Sequence, residues 1–384
     1  MNRAVLGALI MTVAIAGASG AQQPNQEPKE IGGQKIVKLT RQAVSKTKPE
    51  FTSVTVLPGR GMDVLQITAN FPGKGEVNVL YTPPLQMAAK MLDEHDTPNG
   101  DGIYRFGAAL LFPYPNRIRG PLSADGKTLT TEWHGRKIQI PANNGGMKPG
   151  TEKHALHGLI LKEQTDEIKV KEFEGGQEVI GIIHGGDFKG QWFSKSDLTV
   201  TVTLTADAVD TTIEAHNVGT EDEPVAMAWH PYFNIPSGDR AQARVHIPAK
   251  TFAEVDNYDN VFPTGKLSKV DGTKFDFRAA EGRALGTEFF DDNWNTLEWK
   301  GGAATVVLTD PKAGYGVKIE GLSPQIKAIQ LYSPTTGKFA AIEHQFNLAD
   351  PFNQTLWGKT DTGMVTLKPG QSTKWHVRLK VFVP

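Results

Sequence analysis

From about residue 52 to the C-terminus, apolar and polar positions alternate in short runs broken by Gly, Pro, Asn and Asp. SVTVL at 53–57, MDVLQITANF at 62–71 and EVNVLYT at 76–82 open the series, with FPGKG at 71–75 as a turn between them. In DLTVTVTLT at 197–205, Leu198, Val200, Val202 and Leu204 share one face and four threonines share the other. A period of two with β-branched residues on both faces is the pattern of a half-buried antiparallel strand. EIKVKEF at 167–173, EVIGIIH at 178–184, TTIEAHNV at 211–218, ATVVLTD at 304–310, KAIQLYS at 327–333, AAIEHQF at 340–346 and KWHVRLKVFV at 374–383 continue it. Helical propensity gathers at PLQMAAKMLDE, 84–94, which predicts one short helix. There is no strand–helix–strand rhythm. The pattern predicts one large all-β domain from about 40 to 384, with too many strands for a single flat sheet. A large antiparallel β-sandwich with few short helices follows.

The N-terminus breaks the pattern. Arg3 precedes a mostly apolar run from Ala4 to Gly17, and Ser19-Gly20-Ala21 places small residues at −3 and −1 before Gln22. This predicts a cleaved export signal over 1–21, because an uncleaved anchor needs about 20 apolar residues. The polar stretch that follows, rich in Gln, Pro and Gly, reads as a linker over 22–39. The mature protein is then expected outside the cytoplasm, in periplasm or medium, with no membrane association after signal removal. Oligomeric state is left open.

Composition narrows the chemistry. A net charge of −1 offers no basic tract for nucleic acid. The absence of cysteine removes disulfides, thiolate zinc sites and cysteine nucleophiles. No serine elbow, phosphate loop or dinucleotide fingerprint is present, and no cofactor is implied. HDTPNGDG at 95–102 lacks the spacing of a calcium loop and reads as a solvated turn. His154 and His157 form an H-x-x-H without a further ligand at helical spacing, so a substrate-binding histidine fits better than a metal site.

What remains is a set of polar residues at strand ends: Asn116, Arg117, His157, His230, Asp291, Gln330 and Glu343. His230 ends the strand-like PVAMAWHPYFNIP at 224–236, where Pro231 interrupts regular pairing. There it is placed either for proton transfer or merely to cap a buried strand. Glu343 sits among apolar neighbours in AAIEHQF, where desolvation would raise its pKa towards a useful base; an ordinary outward-facing strand Glu is the alternative.

Taken in order, these residues resemble the aldose 1-epimerase (galactose mutarotase) family. Asn116-Arg117-Ile118 resembles its Asn-Arg-Ile segment, whose Arg binds sugar hydroxyls, and Leu156-His157-Gly158 its Leu-His-Gly motif. His230-Pro231-Tyr232-Phe233-Asn234-Ile235 is similar to the segment carrying the family's general acid. Asp291 before Trp294, Gln330-Leu331-Tyr332, and Glu343 followed by Phe346-Asn347 and Asp350-Pro351-Phe352-Asn353 complete the likeness, which runs from about 107 to 384. Residues 40–106 match poorly, Leu159 stands where the family has a second Gly, and His344 where it often has Thr.

The resemblance implies interconversion of α and β anomers of a free aldohexose such as glucose or galactose. Glu343 is then the base on the C1 hydroxyl and His230 the acid at the ring oxygen. His157 and Arg117 would hold the ring, and Asn116, Asp291 and Gln330 would orient hydroxyls. The partner is a small sugar, with no metal or nucleotide. Three other readings stay open: a carbohydrate-binding sandwich without turnover, an epimerase-like enzyme acting on a modified sugar, and a sandwich domain of polysaccharide degradation using Asp291 and Glu343 as a carboxylate pair.

Overall fold

A computed structural model describes residues 27–384, so the expected export signal lies outside the described residues. The alternating pattern becomes two large antiparallel sheets, one of eleven strands and one of nine. Four strands of the larger sheet matter most: β1 (Ala228–Asn234), β2 (Phe290–Leu297), β3 (Ala328–Ser333) and β4 (Phe339–Gln345). They lie side by side in the order β2–β3–β4–β1.

The sheets pack face to face because each strand delivers every second side chain to a shared apolar layer. Leu198, Val200 and Val202 from the smaller sheet join Val54, Ile67, Trp294 and Ile342 from the larger in one buried cluster. Polar links cross it beside His344. The indole Nε1 of Trp375 donates to the His344 carbonyl at 2.8 Å, and His344 Nε2 donates to the Ala304 carbonyl at 3.0 Å. His344 therefore belongs to the layer between the sheets, while its neighbours Glu343 and Gln345 face the other way, as a period of two requires.

The sandwich expected from the sequence is the observed fold. The 84–94 stretch is helical, α-helical over Leu85–Ala89 and widened to a π turn over Lys90–Glu94. The stretch read as a linker differs from that expectation. Glu30–Ile31 and Gln34–Lys35 form a small hairpin, and Val37–Thr40 pairs with Glu50–Leu57 at the edge of the large sheet. Polar composition hid this, because an edge strand with only Leu39 deeply buried carries almost no apolar periodicity. Residues 40–106 do two things. Glu50–Leu57 and Asp63–Phe71 extend the large sheet, and the loop after the π turn is tied down by Arg60, whose guanidinium pairs with Asp93 at 3.0 Å and Asp96 at 2.8 Å.

The core holds titratable groups that make stability depend on pH. Burial pushes the carboxyls of Glu223 and Asp292 up to about 7 and that of Glu343 to about 8, and raises Asp63 well above its usual range. Burial lowers His154, His230 and His344 to about 4, and His157 well below its ordinary value. Between about pH 4.5 and 6.5 the carboxyls make the folded state bind more protons than the unfolded chain, and the histidines make it bind fewer, so the two slopes oppose each other. Above about 6.5 the unfolded histidines are already neutral and only the carboxyl term remains, which lowers stability as pH rises to about 8. Scanning calorimetry is expected to show a plateau near pH 5–6.5 and a Tm lower by roughly 4 °C at pH 8. A Tm that climbs from pH 6.5 to 8 would contradict these assignments.

Candidate active site

Strand register brings the site together. Tyr232 on β1 pairs with Ala341 on β4, Ala341 with Tyr332 on β3, and Tyr332 with Asp291 on β2. Two residues deeper on the same face, Glu343 pairs with Gln330 and Gln330 with Asn293, while His230 Nε2 lies 3.3 Å from Glu343 Oε1. Two short segments close over this face. Arg117–Ile118 pairs with Ala155–Leu156, and just outside that ladder Asn116 and His157 bond each other reciprocally. The His157 N–H donates to the Asn116 carbonyl at 3.0 Å, and the Asn116 N–H donates to His157 Nδ1 at 3.2 Å. Both residues take left-handed backbone conformations, φ 62° each, a strain that the reciprocal bonds hold in place. The turn also needs Gly158, where a Cβ would sit 2.2 Å from the Phe112 carbonyl oxygen.

All seven residues singled out in the sequence line one cavity of about 440 Å³. The H-x-x-H pair is split: His157 faces the cavity, while His154 turns away, its Nδ1 against the Glu152 carbonyl at 2.9 Å and its ring edge-on to Phe262. Among the described residues no group of His, Cys, Asp or Glu is arranged to hold a metal ion.

The polar groups form one connected network. Arg117 donates to Asp291 Oδ2 at 3.0 Å, and Gln330 Nε2 donates to Asp291 Oδ1 at 2.7 Å. Gln330 Oε1 accepts from the Asn116 side-chain amide at 3.0 Å and from that of Asn293 at 3.2 Å. Asn116 Oδ1 accepts from its neighbour's backbone N–H and from the Arg117 guanidinium. Its amide nitrogen is shared between Gln330 and Gln345. The Asn116 side chain is thus fully engaged by protein, so it fixes its neighbours and has no free group for a ligand. Gln345 Nε2 donates to Glu343 Oε2 at 2.8 Å, which leaves Oε1 as the carboxyl oxygen facing His230.

Burial decides the proton count. The glutamate, raised to about 8, and the imidazole, lowered to about 4, hold a single proton between them across the neutral range. That proton lies on Glu343 Oε1 or His230 Nε2, 3.3 Å apart. The proton of His157 is assigned by its partner. Since Nδ1 accepts, Nε2 carries the hydrogen, and burial keeps the ring neutral. A buried acid–base pair beside a neutral donor, an arginine and a carboxylate can move a proton between two oxygens of a polyhydroxylated ligand.

The structure adds residues that sequence reasoning passed over. The loop buttressed by Arg60 brings Thr97, Asp101, Tyr104 and Arg105 to the cavity wall, and the 141–153 loop brings Asn143, Asn144 and Met147. The Tyr104 ring meets His157 edge-on at 4.8 Å and lies against His230 at 5.9 Å, and its buried hydroxyl has no partner among the described residues. Tyr232 stacks on His230 at 4.8 Å and donates to the Tyr104 carbonyl at 2.6 Å, so the two tyrosines clamp the imidazole plane. The signal for Tyr104 was present in IYRF at 103–106, an aromatic and a cation directly before the apolar run.

Known structures share this fold. The fold is similar to that of a galactose mutarotase-like protein from Clostridium acetobutylicum: TM-score 0.67, 20% identity, 91% of this chain and 98% of that one covered. It is also similar to an aldose epimerase homologue from C. elegans: TM-score 0.65, 19% identity, covering 91% and 99%. Galactose 1-epimerase from Lactobacillus acidophilus NCFM gives TM-score 0.62 at 17% identity, covering 91% and 98%. No curated protein matches the sequence. Residues 93–380 match the family model described as aldose 1-epimerase, three-quarters of the chain and the whole of the cavity lining, and the chain belongs to that family.

Proposed function

We propose that the protein interconverts the α and β anomers of a free aldohexose such as glucose or galactose. The observation that carries this is the buried Glu343–His230 pair, 3.3 Å apart, at the floor of a cavity lined mainly by side chains that can hydrogen-bond. In its ion-pair form, with the proton on the imidazole, the pair is a base and an acid at once.

The C1 hydroxyl gives its proton to Glu343 as the C1–O5 bond breaks and the C1=O bond forms. His230 delivers its proton to O5. Rotation about C1–C2 presents the other face of the aldehyde. O5 returns its proton to His230 as it attacks C1, and Glu343 returns its proton to the new C1 hydroxyl. Atoms and protons balance, and the pair is restored. His157 Nε2–H and the Arg117 guanidinium donate to sugar oxygens, and Asp291, held by Arg117 and Gln330, accepts from hydroxyls. Asn116 and Gln330 act mainly by fixing these groups. A binding protein would gain nothing from a desolvated carboxyl raised to about 8, and Glu343 faces an imidazole as a proton-transfer pair requires. We also propose that the protein works outside the cytoplasm, on the strength of the apolar N-terminal run and its small-residue cleavage pattern.

Polarimetry tests the function. Protein beginning at Gln22, added to freshly dissolved α-D-glucose and α-D-galactose, is expected to speed the decay of optical rotation well above the buffer rate for at least one of them. Decay at the buffer rate for both would remove this reading.

A further inference from the structure

We infer that two copies of the chain join edge to edge along Glu167–Phe173, continuing one sheet across a two-fold axis. This surface stands apart from the active site, and none of its residues lines the cavity.

Glu167–Phe173 is the outermost strand of the nine-stranded sheet, and nothing pairs with its outer side among the described residues. All seven of its residues are exposed. Its inner face is nonetheless apolar, where an unpaired edge is usually guarded by charge. Residues directly opposite each other on neighbouring strands share a face. Val170 stands opposite Val179 and Ile168 opposite Gly181, and both partners are buried. The core ends at those partners. Met62 fills the space where a Cβ at Gly181 would stand. The edge strand of the opposing sheet stops at Gln177, whose Oε1 accepts from the Thr40 N–H at 2.8 Å. Ile168 and Val170 are thus inner-face residues that hang past the core, 39% and 53% exposed.

A second copy fits because the strand is complementary to itself in one register. Phe173 and Gly176 flank a two-residue turn and so form a hydrogen-bonded pair. By alternation Ile168, Val170 and Glu172 turn their N–H and C=O groups outward, and antiparallel self-pairing must set these residues opposite one another. With Ile168 opposite Val170 of the second copy, that apolar pair forms twice, and Glu167 meets Lys171 twice on the outer face. Lys169 meets its own counterpart on the axis, its ammonium held by Glu167 at 3.0 Å. Beyond the ladder Glu172 lies opposite Asp166, both exposed to solvent. Sliding the copies by one step in either direction sets Ile168 opposite Glu172 or Val170 opposite Asp166. The sequence of the strand therefore selects both the partner and the register.

Sedimentation velocity on the protein beginning at Gln22 is expected to show a monomer–dimer equilibrium across roughly two decades of micromolar concentration, the weak range for a contact of this size. Val170→Lys changes an exposed position, so it should keep the parent's Tm. It should weaken association roughly 10-fold or more, because each dimer holds the Ile168–Val170 pair twice. The chain has no cysteine, which lets one substitution read the register. Opposed residues of a non-hydrogen-bonded pair lie about 4.5 Å apart at Cα, within disulfide reach. Lys169→Cys should therefore oxidise to a disulfide-linked dimer, and Lys171→Cys, whose counterpart lies well along the other strand, should not. A monomer at every concentration, a dimer that Val170→Lys leaves intact, or Lys171→Cys cross-linking as readily as Lys169→Cys would overturn the inference.

Discussion

Glu343→Gln is expected to lower kcat by roughly 10³–10⁴-fold and to change KM little. Gln keeps the shape and can still accept from Gln345, so the network around Asn116, Asn293 and Gln330 has no reason to collapse. What the substitution removes is the only group in the cavity that is both placed beside His230 and able to take a proton from a hydroxyl near neutral pH. A second readout separates this from damage to the fold. The Glu343 carboxyl is raised to about 8 by burial, so its ionisation opposes folding as pH rises through that value. Gln carries no such term. The variant should therefore lose less Tm than the parent between pH 6.5 and 8 while turnover is nearly gone. Wild-type turnover in Glu343→Gln would sink the assignment of the base.

The sandwich was legible because strands that are half buried write their own period. Val200 and Thr201 state which face looks inward without knowledge of the partner strand. The seven candidate residues were legible because each is a polar side chain next to an apolar run, which needs a reason; the expectation that all stand at strand ends fails for His230, Gln330 and Glu343, which lie inside strands. Other features carried no local mark. Gln345 looks like any strand glutamine, and only the fold reveals that it fixes which oxygen of Glu343 faces His230. Asn116 looked like a sugar ligand, and only the fold reveals that its side chain makes four hydrogen bonds to protein, two of them to residues more than 200 positions away. Tyr104 reaches the site through a loop whose position depends on Arg60 bridging Asp93 and Asp96, a contact set by tertiary structure alone. The edge strand Val37–Thr40 was missed for a related reason: one buried side chain in four gives no period.

His230→Asn is expected to lower kcat/KM roughly 10²–10³-fold, and its pH dependence is the sharper test. In the parent, activity needs one proton on the pair. Below about 4 the imidazole and the carboxyl are both protonated and no base remains; above about 8 both have lost their protons and no acid remains. The parent profile of kcat/KM should therefore be a bell, falling as pH rises through about 8. In His230→Asn the residual reaction keeps its base and takes its acid from water. It then needs only ionised Glu343, whose pKa stays high because burial, not the imidazole, raises it. The variant's activity should climb through the same pH range in which the parent's declines. Rates from pH 5 to 9, corrected for buffer-catalysed exchange, would show the two limbs crossing in direction. A variant whose profile falls above pH 8 as the parent's does would mean that the proton lost there is not the one His230 supplies.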